Sequence, residues 1–395
     1  MQRSGRSRRS SAVRRVFGLL AVVLLVACSP TPSPTAPPSG VPGPTSVNPS
    51  GSPIAFDPAA GWHLVSLAGV AAPTRLSDVI ATSSGFLADG ATGQLGQTPI
   101  ALHSTDGSEW TAERIASDWT SPGELLAWRD KVVAVGGGES SHCGHPSALD
   151  TWVRAADATW TEAPWDEGFC VGAGPSTLLI HRDRPFLIGA GSGDVSYVMT
   201  SDDGLRWVIH ERPFGNFYPH AAVSDGSTLW VFGEGPDGRP VVFKSADGQT
   251  FEPPAAIAGL GPDASVQDAL MLGDQIVVVM SVGPEVGILR PDGSGGWQAE
   301  PAAGLRGDQI ARIVVAGNRL VALGNDENGT PLAWVSADGT DWSPLPLPAE
   351  AGAGTTFGGI VVANGMAILV GQAAAPNGNS AVGAIWVGPP ALLEP

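Results

Sequence analysis

Short apolar runs, separated by clusters of Gly, Asp, Asn and Ser, recur along the chain from about residue 57 to residue 388. In one clear copy, Ile313 to Ala316 is followed by Gly317-Asn318-Arg319, by a second run Leu320 to Gly324, by a loop Asn325 to Thr330 and by a third run Pro331 to Val335. The turn Ser336 to Trp342 then ends on an aromatic residue that opens a fourth run. Runs this short, bounded by turn formers, predict strands. The same plan begins near Val79, Leu125, Leu178, Ala221, Ala269 and Ile360, which makes seven units. Four strands per unit at a spacing of roughly 44 to 50 residues predict an all-β fold, a seven-bladed β-propeller of four-stranded blades. The seventh unit ends at Ile385-Trp386-Val387 and runs into Pro389-Pro390 with no fourth strand of its own. Gly61-Trp62-His63-Leu64-Val65 is predicted to supply it, closing the ring and removing the sheet edges that invite aggregation.

The turn between the third and fourth strands follows Ser-x-Asp-Gly-x-x-Trp. It occurs at Ser104, Asp106, Gly107 and Trp110, at Ser201, Asp203, Gly204 and Trp207, and at Ser336, Asp338, Gly339 and Trp342, with a Phe-ended copy at Ser245, Asp247, Gly248 and Phe251. Ser and Asp side chains accept hydrogen bonds from nearby N–H groups, Gly supplies a positive φ, and the aromatic ring anchors the turn. Two copies are degenerate: Arg154 to Trp160 lacks both Ser and Gly, and Arg290 to Trp297 carries one extra residue. The motif resembles the Asp-box, or BNR, repeat of the sialidase-like propeller superfamily over about residues 57 to 388, although sialidases usually have one more residue between Asp and Gly. The resemblance implies that these Asp residues are structural turns on the face opposite the substrate, and that none is catalytic. A sialidase also needs an arginine trio, a Tyr nucleophile paired with Glu and an Asp acid/base. The Phe/Tyr-Arg-Ile-Pro motif is missing here, and only Tyr197 and Tyr218 supply phenols.

Residues 1–27 read as a leader: a basic head at Arg3, Arg6, Arg8, Arg9, Arg14 and Arg15, then an apolar run from Val16 to Ala27 too short to span a bilayer comfortably. Leu25-Val26-Ala27-Cys28 resembles the bacterial lipobox, which implies cleavage before Cys28, its lipidation and attachment to the outer face of the cell membrane. Arg14-Arg15-Val16-Phe17 resembles a twin-arginine signal, with general secretion as the default route. Residues 28–56 are rich in Pro, Ser and Thr, a composition that buries no core and reads as an extended tether. Residues 57–388 form the propeller and 389–395 a C-terminal tail.

The net charge is −17, and the leader takes with it six of the 21 basic residues and none of the 38 acidic ones, leaving −23. Such a surface repels phosphate backbones, which argues against nucleic acid as a partner. Within the family frame, the second-to-third strand loops and the blade-to-blade connections share the face opposite the Asp-boxes. Cys143 and Cys170 fall in these two loop classes, and export favours a disulfide between them; the alternative is a partial zinc set from His142, Cys143 and His145. Trp119, Trp165, Phe169, Phe214, Phe217, Tyr218 and His220 fall on the same face. They form either a recognition surface or inter-blade core. Asn325 to Gly329 and Gly235 to Gly238 carry oxygen ligands suited to calcium or simply to turns.

Together these features predict a lipid-anchored, monomeric, extracytoplasmic propeller without cofactor, metal or catalysis. It would bind a protein or glycan of the cell envelope. The alternatives are a sialidase-type hydrolase and a small-ligand receptor.

Overall fold

The computed structural model describes residues 61–67, 73–92, 98–115, 120–138, 148–164, 175–191, 195–211, 213–215, 217–374 and 381–394. The Cys28 lipidation site, the leader, most of the tether, the Cys143 and Cys170 pair, and Trp119, Trp165 and Phe169 lie outside these residues.

Seven antiparallel four-stranded sheets follow one another along the chain. Blade 1 holds β2 (Pro73–Thr82), β3 (Gly85–Thr92), β4 (Thr98–Ser104) and β5 (Thr111–Arg114), and blade 2 holds β6 (Thr120–Trp128), β7 (Lys131–Gly138), β8 (Ala148–Arg154) and β9 (Trp160–Glu162). Blade 3 comprises β10 (Pro175–His181), β11 (Arg184–Gly191), β12 (Val195–Ser201) and β13 (Trp207–Glu211). Blade 4 comprises β14 (Tyr218–Ser224), β15 (Leu229–Glu234), β16 (Pro240–Ser245) and β17 (Ala255–Ala256). In blade 5 come β18 (Ala264–Leu272), β19 (Gln275–Val282), β20 (Glu285–Pro291) and β21 (Trp297–Arg306). In blade 6 come β22 (Ile310–Ala316), β23 (Arg319–Asn325), β24 (Pro331–Ser336) and β25 (Ser343–Pro344). Blade 7 takes β26 (Thr356–Ala363), β27 (Met366–Ala374) and β28 (Ala381–Gly388), and its fourth strand is the N-terminal β1 (His63–Leu64). The predicted closure is therefore seen: His63 pairs with Val387 and Leu64 with Trp386.

Both faces of each sheet are covered, so the middle strands are buried almost throughout, as in β3 and β23, rather than alternating. The core is divided into seven clusters, one at each junction between neighbouring blades. Leu87, Ala101 and Ile115 of blade 1 meet Leu125, Val132 and Trp152 of blade 2, and Phe86 and Leu102 meet Ile368 and Ile385 of blade 7. Trp62, just before β1, is buried in the junction of blades 6 and 7, and its indole N–H donates to Pro346 O at 2.7 Å. Leu393, in the 3-10 turn Pro390–Leu393, packs in the same cluster.

The Ser-x-Asp-Gly turns are built as their residues require. The Ser hydroxyls accept the Gly N–H at 2.8 Å in the copies at Ser104, Ser201 and Ser245, and at 2.7 Å at Ser336. Each Asp Oδ1 accepts the N–H two residues on, at 2.8 to 2.9 Å. Trp110, Trp207 and Trp342 donate their indole N–H to the turn Gly carbonyl, a bond Phe251 lacks. The Gly residues also contact the preceding blade. A Cβ on Gly204 would lie 2.7 Å from Val153, and one on Gly248 would enter the Phe186 ring. Gly248→Ala therefore combines strain at φ +73° with displacement of a buried ring, and is expected to cost about 2–4 kcal/mol in urea unfolding. Gly226→Ala, at φ +88° with open space around it, serves as the control and should cost only about 1 kcal/mol.

The degenerate copies still make turns. In blade 5 the extra residue is absorbed by two glycines at positive φ, Gly293 and Gly295, with Asp292 Oδ1 accepting the Ser294 and Gly296 N–H groups. In blade 2, Ala158 takes the positive φ, at 66°. Arg154 stands in the Ser position and forms a bidentate pair with Glu113 of blade 1, both bonds 2.7 Å. The Trp160 indole N–H adds a third bond to Glu113, at 2.8 Å.

Candidate functional site

The innermost strands carry a shared irregularity. Each has a bulge near its start, and the residue just past it is Asp78, Glu124, Thr177, Ala221, Asp268, Arg312 or Gly359, blade by blade. Bulges re-aim a side chain and free a backbone group. Here the freed N–H groups receive acceptors from the neighbouring blade: Asp78 Oδ2 takes the Leu125 N–H at 3.1 Å, Glu124 Oε2 the Leu178 N–H at 3.1 Å, and Thr177 Oγ1 the Ala222 N–H at 3.1 Å. Asp268 accepts the N–H of its own neighbour Ala269 at 2.7 Å.

Inner strands of six blades surround an axial cavity of about 700 Å³, whose lining includes Asp78, Glu124, Thr177, Gln267, Asp268 and Arg312. Arg312 donates to Gly358 O of blade 7 at 2.7 Å and to Ser77 O of blade 1 at 3.1 Å, and pairs with Asp78 at 3.2 Å. Gly358 and Gly359 permit this crossing, because a Cβ on Gly358 would strike the Leu76 and Ser77 carbonyls, and one on Gly359 would lie 2.9 Å from Asp78 Oδ1.

Three carboxyls face one guanidinium in this lining; Asp78 is buried, Glu124 and Asp268 are half-buried, and the Arg312 side chain is 31% exposed. Burial raises Glu124 to about 7, against the pull of Arg312 and with help from the charges of Asp78 and Asp268. Burial likewise raises Asp268 to about 6. Asp78 is also raised by burial, which outweighs the nearby Arg312 and its hydrogen bonds. The turn carboxylates behave oppositely: N–H donors from Thr250 and Gln249 hold Asp247 at about 2. A group locked that low as an acceptor serves a turn and not proton transfer.

Of the aromatic residues expected on this face, Phe214 and Phe217 are interior. They are 7% and 4% exposed and pack edge-to-face, 5.3 Å between centroids, in the junction of blades 3 and 4 with Phe243. Both rings belong to the inter-blade core. Tyr218 is 45% exposed, with the His220 ring 5.3 Å away. Tyr197 is fully buried in the junction of blades 2 and 3, where burial pushes its phenol up. The acidic loops are turns: Asp326 Oδ1 accepts the Asn328 and Thr330 N–H groups at 2.8 Å, and Asp237 accepts that of Arg239. The axial cluster escaped sequence reading although its signal was present. Its members stand immediately before the first apolar residue of their units, so stacking the seven copies places them in one column.

No protein-family model matches the chain, and no curated protein matches it in sequence. Its fold is similar to those of many solved structures, among them three at low identity. YCF48 bound to D1 peptide shares 14% identity, with 85% of this chain and 96% of that one covered and a TM-score of 0.53. A catalytically inactive virginiamycin B lyase from Staphylococcus aureus, with quinupristin, shares 11%, with 82% and 98% covered and a TM-score of 0.52. A protein from Lactobacillus plantarum shares 14%, with 71% and 86% covered and a TM-score of 0.50. At such identities the likeness is one of fold, and the fold is the seven-bladed β-propeller.

Proposed function

We propose that this chain is a non-catalytic binding module of the Asp-box type, exported and held to the membrane through Cys28, which takes a segment of a partner protein at the mouth of its axial channel. The observation that carries the reading is the cavity itself: about 700 Å³, on the ring axis, lined by six blades. A peptide-bound propeller among the similar folds supports it. The excess of carboxyls over Arg312 suits a segment bearing Lys or Arg. Hydrolysis of sialidase type fits less well, since the described part of the lining offers one guanidinium and no phenol. The cavity volume also falls in the range of small-molecule sites, which keeps a solute receptor as the second reading.

Photo-crosslinking separates these readings. A probe at Gln267, in the cavity lining, and one at Gln249, in an Asp-box turn, are exposed to lysine-containing and acidic peptide pools. Capture of the basic pool at Gln267 alone, weakened about tenfold or more in Glu124→Gln/Asp268→Asn, is expected. Equal capture at both positions, or none at either, sinks the channel as the binding surface.

A further inference from the structure

The axial cluster has a member that faces no cavity. Asp89 lies directly opposite Asp78 in the β2–β3 ladder and is 0% exposed. Among the described residues neither of its oxygens has a well-formed hydrogen bond, although the Asp78 N–H is nearby. A carboxylate so placed has lost its hydration and gained little in return, a costly state if it stays charged. The neutral acid removes most of that cost.

The neighbour it would disturb is a junction of four blades. Arg312 starts in blade 6, bonds Gly358 O in blade 7, and reaches Ser77 O and Asp78 in blade 1. Asp78 in turn holds the Leu125 N–H of blade 2. We propose that this junction is proton-linked: Asp89 carries a proton in the closed ring, and its loss sets two carboxylates against each other beside one guanidinium, loosening the contact between blades 1 and 2. The charged groups that bear on Asp89 are Asp78 and Arg75 from β2, and Arg312 from β22. Glu124 from β6 adds its charge to the same cluster through Arg312 and Asp78, and Asp268 from β18 adds to it through Glu124. On the other side β4 presents Ala101, which is uncharged.

Burial, then the charge of Asp78, raises Asp89 well above the ordinary carboxyl range. A raised acid keeps its proton in the native chain at pH values where the unfolded chain has lost it. The native state then binds more protons, and stability falls as pH rises through the native value. Asp268 and Glu124, at about 6 and about 7, complete their fall near neutrality. Asp89, raised further from the ordinary carboxyl range, adds to the same fall from the unfolded carboxyl value upward. The turn carboxylates, such as Asp247 at about 2, stabilise fully above the ordinary carboxyl value and lose that contribution only below it, so they are constant here.

The test is the melting temperature of the full chain between pH 5 and 9. The wild type is expected to lose about 5 °C or more over that span. Glu124→Gln should remove part of the slope below neutrality, whereas Asp89→Asn should make the profile shallower than that of the wild type over the span. A flat wild-type profile, or an Asp89→Asn slope equal to that of the wild type over the whole span, overturns the proposal. Hydrogen exchange needs no variant: after correction for intrinsic base catalysis, protection in β2 and β6 should drop with rising pH while that in β14, across the ring, holds. An equal drop all round the ring would overturn it as well.

Discussion

Trp62→Ala is expected to lower the unfolding free energy by about 3–5 kcal/mol, the range for removing a large buried aromatic side chain. The closing strand β1 pairs His63 with Val387 and Leu64 with Trp386, and the Val65 N–H donates to Ile385 O. Both strand residues are exposed, so the strand itself buries little. Its buried anchor is Trp62, which fills the junction of blades 6 and 7 beside Leu393 and donates to Pro346 O, while Val65 and Leu67 are partly buried against the junction of blades 7 and 1. Without the ring, β28 loses its outer neighbour and becomes an open edge. Guanidinium unfolding gives the free energy, and limited proteolysis at residues N-terminal to β2 reports release of the strand. A loss under about 1 kcal/mol with unchanged proteolysis would show that blade 7 is stable with that edge uncovered.

A loss of similar size is expected from Arg154→Ala, about 3–5 kcal/mol. Its guanidinium is 6% exposed and that of its partner Glu113 carboxylate 16%, so the substitution leaves a charge with little access to water. Two charge-assisted bonds in bidentate geometry vanish together, and Trp160 alone still donates to Glu113. In Arg154→Met/Glu113→Leu neither charge remains, and stability should return to within about 1–2 kcal/mol of the wild type. A double-mutant cycle in urea measures the coupling. Equal losses in the single and double variants would mean that packing, and not the pair, holds blades 1 and 2 together.

How far the chain could be read from its residues followed the range of the forces involved. The Ser104, Ser201, Ser245 and Ser336 turns were legible because the Ser and Asp bonds that shape them close within five residues. Ring closure was legible because the seventh unit stops at Val387 one strand short, while Trp62 opens an unassigned strand at the other end. Phe214 and Phe217 left two readings open because a connection between blades can run over the surface or dip into the junction, and composition there does not separate the cases. The axial charges were missed for a different reason. Asp78 and Arg312 are 234 positions apart, and their meeting depends on bulges and on Gly358 and Gly359 standing aside. In the sequence they look like surface charges at strand starts.

The way each turn glycine rests on the blade before it bears on how such a ring can be rebuilt. Gly204 sits on Val153, Gly248 on Phe186, Gly339 on Ile288, and Gly107 on Met366 of the last blade. On that face the joint between the last blade and the first is made like the others, so the chain ends are not marked there. New termini could be opened in the turn Asp225 to Thr228 of blade 4, and the old ones joined by a linker, without altering any of these four contacts. Blade 2 is the exception to interchangeability. Its Arg154 is matched to Glu113 alone, so a copy of blade 2 inserted after any other blade would arrive with an unpartnered cation, and a duplication starting elsewhere would not.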